Sequence, residues 1–65
     1  MRDKRSQYAA RYRYDRNDGV WLAHVAEIPY VHTYGSTLAE AEAHLRDALS
    51  LWLRVDEAEF TIRPS

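Results

Sequence analysis

The sequence predicts a small α+β domain with the element order β-β-β-α-β: an antiparallel three-stranded meander, one helix on one face of the sheet, and a short last strand. Three observations support this prediction. Polar and apolar residues alternate with period two over residues 8–15, a Pro- and Gly-punctuated stretch follows, and residues 37–53 repeat apolar side chains at helical spacing. A chain of 65 residues also has room for one domain only.

The first strand is predicted over residues 8–15, where Tyr8, Tyr12 and other apolar residues alternate with polar ones. The segment that follows, Asp15-Arg16-Asn17-Asp18-Gly19, predicts a hairpin turn because Asn, Asp and Gly tolerate positive φ. A second strand is predicted over residues 20–26. Since both of its faces are largely apolar, we expect it to be central and covered on both sides.

Pro29 ends the second strand because proline cannot donate a hydrogen bond to the sheet. A third, short strand is predicted over residues 31–34, before Gly35. Phe60 and Ile62 alternate with polar residues and predict the last strand, which stops at Pro64.

The helix begins at Thr37-Leu38-Ala39-Glu40, which matches a capping box, and is expected to fade over residues 54–57. Leu51 falls on the outer face and is predicted to be exposed. The apolar stripe that would face the sheet consists of Leu38, Ala41, Leu45, Ala48, Leu49 and Trp52.

One helix covers one face of a sheet, and the sequence predicts no second helix for the other face. A 65-residue domain buries only about 60 % of its unfolded surface, and the chain has no cysteine to form disulfides. We therefore expect self-association, as a dimer or tetramer, or a protein partner. The domain is predicted over residues 8–63, preceded by a basic, flexible N-terminus over residues 1–7.

Charge is unevenly distributed along the chain. Residues 1–16 carry six Lys/Arg and two Asp, whereas residues 17–65 carry three Arg and eight Asp/Glu. Such asymmetry can mark an interaction surface. The basic start is followed by no apolar signal segment, and the longest apolar runs are far too short to span a membrane. These features predict a cytoplasmic protein without membrane association.

The inventory of reactive residues predicts no enzyme, no cofactor and no metal. His24, His32 and His44 lack local metal-ligand spacing, and Asp15 and Asp18 belong to a turn where aspartate is common. No GxSxG setting, cysteine nucleophile or glycine-rich phosphate loop occurs. We therefore expect no catalytic residues and no metal ligands.

An alternative is a sheet that binds nucleic acid through its first strand. Tyr8 and Tyr12 would stack on bases while Arg11 and Arg13 neutralise phosphates. Against it, the remainder of the chain is acidic and would repel a polyanion.

Several short motifs occur in an order that resembles the HicB-like antitoxin family. They are the hairpin Asp15-x-x-Asp18-Gly19-Val20-Trp21-x-Ala23, the corner Glu27-Ile28-Pro29, and the helix start Gly35-Ser36-Thr37-Leu38-Ala39-Glu40-Ala41, followed by the helix end Ala48-Leu49-Ser50-Leu51-Trp52-Leu53. The resemblance spans about residues 8–53. The family corner has Gly where this chain has Tyr30.

The resemblance implies a β-β-β-α-β domain with a partial ribonuclease H-like fold. It also implies that the chain neutralises a small, basic, RNA-cleaving toxin of the HicA type by covering its surface. Many family members carry a C-terminal DNA-binding domain, which we do not expect here because the printed chain stops at Ser65. A degenerate ribonuclease H-like protein is a further alternative. The predicted partner-binding residues surround the corner and are Trp21, Glu27, Pro29, Tyr30 and His32.

Overall fold

The computed structural model describes residues 6–64, which form one four-stranded mixed sheet and one α-helix. This confirms the α+β class and the predicted order of elements. The elements are β1 (Ser6–Asp15), β2 (Val20–Val25), β3 (His32–Gly35), α1 (Leu38–Leu53), a 3₁₀ turn (Glu57–Glu59) and β4 (Phe60–Pro64).

The strands lie in the order β3-β2-β1-β4. β1 pairs with β2, and β2 with β3, in antiparallel fashion, so the meander is confirmed. β4 pairs with β1 in parallel, with Ser6 opposite Phe60. A parallel neighbour requires a crossover connection, and α1 with the 3₁₀ turn supplies it.

The predicted boundary between a flexible N-terminus and the domain is wrong at residues 6 and 7. Ser6 and Gln7 belong to β1 and lie opposite Phe60 and Thr61 of β4. Sequence periodicity missed them because their side chains are polar and exposed. The remainder of the predicted N-terminal segment, residues 1–5, lies outside the described residues.

The β1–β2 hairpin closes through Asp15. Its backbone carbonyl accepts from Gly19 N at 2.8 Å, and its carboxylate accepts from Asn17 N at 2.9 Å. Gly19 has φ +66°, a conformation that glycine adopts without steric cost. The turn chemistry predicted from the sequence therefore sets the register, with Asp15 opposite Val20.

The corner between β2 and β3 is a tight turn with Pro29 and Tyr30 at its tip. Val31 N donates to Ile28 O at 2.9 Å, and Val25 N donates to Val31 O at 3.0 Å. Proline suits the first tip position because its φ is already correct there. Val31 is buried inside the corner, so β3 begins one residue later than predicted.

The capping box forms as the sequence predicts. Thr37 Oγ1 accepts from Glu40 N at 3.0 Å, and Glu40 Oε1 accepts from Ser36 N at 2.6 Å. The helix ends at Arg54, which takes the left-handed conformation with φ 59°, while its amide donates to Ser50 O. Glu40 N at the start of the helix and Ser50 O at its end, which are among the backbone groups that a helix end leaves free, therefore have partners.

The core lies between α1 and one face of the sheet. The helix contributes three buried residues, Ala41, Leu45 and Leu49. Leu38 and Trp52, predicted to share that stripe, are exposed instead. Leu38 and Trp52 lie in the first and last turns of the 16-residue helix, and the three buried residues lie between them. The sheet and corner contribute Ala10, Ala23, Val25, Val31 and Phe60.

The opposite face of the sheet carries no helix among residues 6–64. On this face the β2 side chains Val20, Leu22 and His24 are only half-buried, so the prediction that β2 is covered on both sides is wrong. Both faces of β2 are apolar in sequence because Val20 and Leu22 lie on its open face.

The one helix among residues 6–64 is too short and too polar to cross a membrane.

Candidate binding surfaces

The five residues predicted to bind a partner lie in three places. Glu27, Pro29 and Tyr30 are exposed at the corner, whereas His32 is exposed on the open face of β3. Trp21 is half-buried on the helix side of the sheet, far along β2 from the corner. The structure therefore brings Tyr30 and His32 together but separates Trp21 from them.

Trp21 has a packing role. Its ring lies 5.4 Å from that of Tyr14, at a tilt of 58°. Across the sheet it lies opposite Gly35. An aromatic pair of this kind stabilises the hairpin end of the sheet.

Glu27 is bound to the sheet by its side chain. Ala26 N donates to Ala9 O at 2.8 Å, and one residue later Ala9 N donates to the Glu27 carboxylate at 3.0 Å. The carboxylate thus continues the hydrogen bonding of β1 where β2 leaves the sheet. The bond from Ala9 lowers the pKa of Glu27, and the nearby Arg63 and Arg11 charges add to this effect.

Tyr30 and Trp52 stack on each other at the surface. Their ring centroids are 6.2 Å apart and their planes differ by 13°. Tyr30 is 79 % exposed, Trp52 53 % and the adjacent Leu51 71 %. Together with Val31, His32 and Ala48 they surround a shallow depression of about 360 Å³. We call Tyr30, Leu51 and Trp52 the aromatic patch.

Acidic side chains border the aromatic patch. Asp47 precedes Leu51 by one helical turn and so lies on the same helix face. Asp56 and Glu59 line a second depression together with Leu51. Residues 37–59 carry six carboxylates and two arginines, so this side of the molecule is acidic.

Trp52 is the functional candidate that sequence reasoning missed, because it was assigned to the buried stripe. The neighbouring Leu51 could have indicated that Trp52 is exposed. Residues i and i+1 of a helix are separated by about 100°, so Leu51 and Trp52 could not both face the centre of the sheet.

The four residues of the predicted nucleic-acid surface do not share one face. Tyr8 and Tyr12 lie on the helix side and pack against the core, Tyr8 at 6.2 Å and 83° to the Phe60 ring. Burial raises the pKa of Tyr12, and the nearby Glu42 carboxylate adds to this effect. Arg11 and Arg13 lie on the open face. Strand alternation separates the two types of side chain.

The open face instead places arginine and histidine side by side. Arg11 lies opposite His24, and His24 lies opposite His32, which forms a row across three strands. The next row is Arg13, Leu22 and Tyr34. Arg11, Arg13, Leu22, His24 and His32 of these rows border a depression of about 360 Å³. We call Arg11, Arg13, His24, His32 and Tyr34 the basic sheet face.

The third histidine lies apart from this pair, on α1, where His44 Nδ1 is 2.8 Å from Tyr34 O. Within residues 6–64 no group of three His, Asp or Glu side chains is arranged to hold a metal ion. His24 and His32 are distant in sequence, so local spacing could not show that they lie opposite each other.

Comparison of the chain with protein-family models, with curated proteins and with solved structures finds no match.

Proposed function

We propose that this chain is a HicB-like protein-binding domain, without enzymatic activity, that neutralises a small RNA-cleaving toxin of the HicA type by covering its surface. The observation that supports this most directly is the exposed stack of Tyr30 on Trp52 at the corner of the sheet, bordered by carboxylates. The corner is also where the resemblance to the family leads us to expect partner contact.

The fold supports the same proposal. The observed element order is the one that the resemblance implies. The motif residues also have structural roles that fit their positions: Gly19 closes the hairpin, and Thr37 caps the helix. On the same grounds we propose that the domain has a partial ribonuclease H-like fold.

The aromatic patch has the composition of a protein-binding centre. Tyrosine and tryptophan contribute most of the binding energy at many interfaces, and the surrounding polar rim excludes water. An acidic rim favours a basic partner and accelerates its association. A HicA-type toxin is small and basic, so its charge complements this side of the domain.

Self-association is a second part of the proposal. The small size of the chain favours a dimer or tetramer, in which the toxin would be bound by more than one copy. Tight association of copies would make the free energy of unfolding rise with the logarithm of the protein concentration.

The test is co-expression with the HicA-type toxin encoded by the adjacent small reading frame. The unchanged chain should restore growth and co-purify with the toxin, whereas the double variant Tyr30→Ala/Trp52→Ala should fail in both. Tyr34→Ala is the matched control, because Tyr34 is also an exposed tyrosine (62 %) but lies on the other face of the sheet. It should retain both properties.

The absence of such a toxin gene, or a failure to rescue growth, would refute the antitoxin role. Equal loss in the Tyr34→Ala control would refute the aromatic patch as the contact. Light scattering on the purified chain and complex measures their masses, and a monomer at micromolar concentration would refute the proposed oligomer.

A further inference from the structure

The basic sheet face is a second surface, on the opposite side of the sheet from α1, and the proposed antitoxin role does not use it. We propose that this face binds single-stranded RNA, with Arg11 and Arg13 on the phosphates and with Tyr34 and the two imidazoles against the bases. The proposal does not depend on the toxin partner. Of its residues only His32 also borders the depression of the aromatic patch.

The arrangement of side chains follows from the register of the sheet. Arg11, His24 and His32 stand in one row on three adjacent strands, about 4.8 Å from strand to strand. The row of Arg13 and Tyr34 lies two residues away, about 6.8 Å along the strands. Arg11 and Arg13 thus line a shallow depression together with the His24 and His32 rings. Tyr34 lies in the Arg13 row, on the far side of Leu22.

The basic sheet face is positively charged, whereas the helix side of the molecule is negatively charged. Arg63 of β4 lies opposite Ala9, so it joins Arg11 and Arg13 on the same face. Two carboxylates lie near these three arginines: that of Glu27 accepts from the Ala9 amide, and that of Asp15 accepts from the Asn17 amide in the hairpin turn. The objection that an acidic chain repels nucleic acid applies to the helix side, because the fold separates the charges onto two faces.

An open sheet with exposed rings suits single strands better than duplexes. Unpaired bases can lie flat on aromatic or imidazole rings, as they do on other RNA-binding sheets, whereas the bases of a duplex are stacked inside it. Tyr34 is 62 % exposed and so offers a free ring. Its hydroxyl and the imidazole nitrogens can also bond a 2′-OH, which favours RNA over DNA.

Other occupants fit this face less well. A second copy of the chain would bring like charges together, and a basic toxin would be repelled. The stacking groups also differ from those that the sequence suggested. Tyr8 and Tyr12 pack against the core. Tyr34, in the same row as Arg13 but two strands away, takes their place.

The first experiment measures binding of a fluorescein-labelled 12-nucleotide oligouridine by anisotropy at several salt concentrations. Two to three neutralised phosphates predict a slope of log K against log salt of about −1.4 to −2.1. Arg11→Glu/Arg13→Glu should weaken binding at least about tenfold and make the slope shallower. Arg54→Glu, a single charge reversal on the helix side, is the control and should change binding less than about twofold.

The second experiment separates stacking from charge. Tyr34→Ala should weaken binding by about fivefold or more with an unchanged salt slope. Tyr34→Phe should restore the affinity, apart from the contribution of any hydrogen bond that the Tyr34 hydroxyl makes to the RNA. Tyr30→Ala, an exposed tyrosine on the aromatic patch, should bind as the unchanged chain does. If the double Arg→Glu variant does not fold in a thermal melt, Arg11→Gln/Arg13→Gln replaces it.

Four outcomes would overturn the proposal. They are no binding at 50 mM salt, tighter binding of a 12-base-pair RNA duplex, tighter binding of the matching DNA strand, and a dimer in the unchanged chain that dissociates in the Arg11→Glu/Arg13→Glu variant. The last would assign the face to a second copy.

Discussion

Gly35 lies directly against the first turn of α1, near Ala41. A Cβ atom added at Gly35 would stand 2.5 Å from Ala41 N and 2.9 Å from the carbonyl carbon of Glu40. Both are backbone atoms, which cannot rotate away as a side chain would. The end of β3 and the start of α1 therefore approach as closely as they do only because position 35 has no side chain.

Gly35→Ala should lower the free energy of unfolding by about 1–3 kcal/mol, since the helix must shift to admit the methyl group. Urea denaturation followed by circular dichroism measures the loss. Gly19→Asn is the comparison. A Cβ at position 19 would meet only the Tyr14 hydroxyl, at 3.9 Å, and asparagine tolerates the left-handed backbone there, so the loss should stay below about 1 kcal/mol. Equal losses at both positions would contradict the close approach.

Thr37→Ala should lower stability by about 1 kcal/mol because Glu40 N loses its acceptor. Thr37→Ser keeps the hydroxyl and should restore most of this loss. Thermal unfolding of the three proteins tests the cap, and a serine variant as unstable as the alanine variant would refute it.

Tyr30→Ala and Trp52→Ala should show a coupling energy of about 0.5–1.5 kcal/mol, because each ring loses its stacking partner when the other is removed. The two single variants and the double variant form the required thermodynamic cycle. A coupling of zero would show that the rings do not stack in solution. Each single variant should stay folded, since both rings are exposed.

The stability of the fold should fall at acidic pH partly through Glu27. The lowered pKa of Glu27 means that its charged form is favoured in the folded state. Its contribution is therefore present above the unfolded-state pKa and is lost as pH falls through that value towards the folded pKa. The sign follows from the Ala9 bond, which a protonated carboxyl accepts less well.

Glu27→Gln removes the charge and keeps an oxygen that can accept from Ala9. Its melting temperature should fall less than that of the unchanged chain between pH 6 and pH 3. Glu59→Gln, at an exposed carboxylate of the 3₁₀ turn, should follow the unchanged chain. Parallel pH profiles for all three proteins would contradict a role for Glu27.

Much of the local structure could be predicted from the sequence, because short-range chemistry encodes it. Asp15 and Gly19 specify the hairpin, Thr37 and Glu40 specify the helix start, and Pro29 specifies the corner. Each works through hydrogen bonds or backbone preferences within about five residues. Period-two alternation likewise identified β1, although its polar first two residues gave no such signal.

The tertiary structure decided which residues meet. No local pattern indicates that β4 lies parallel to β1, because strand order depends on how the crossover through α1 returns the chain to the sheet. The same packing stacks Tyr30 on Trp52, 22 positions later in the chain, and sets Arg11, His24 and His32 in one row.

The sequence by itself determined the elements and an uneven charge along the chain. The fold turned that unevenness into a basic sheet face and an acidic helix side, since alternation sends neighbouring side chains of a strand to opposite faces.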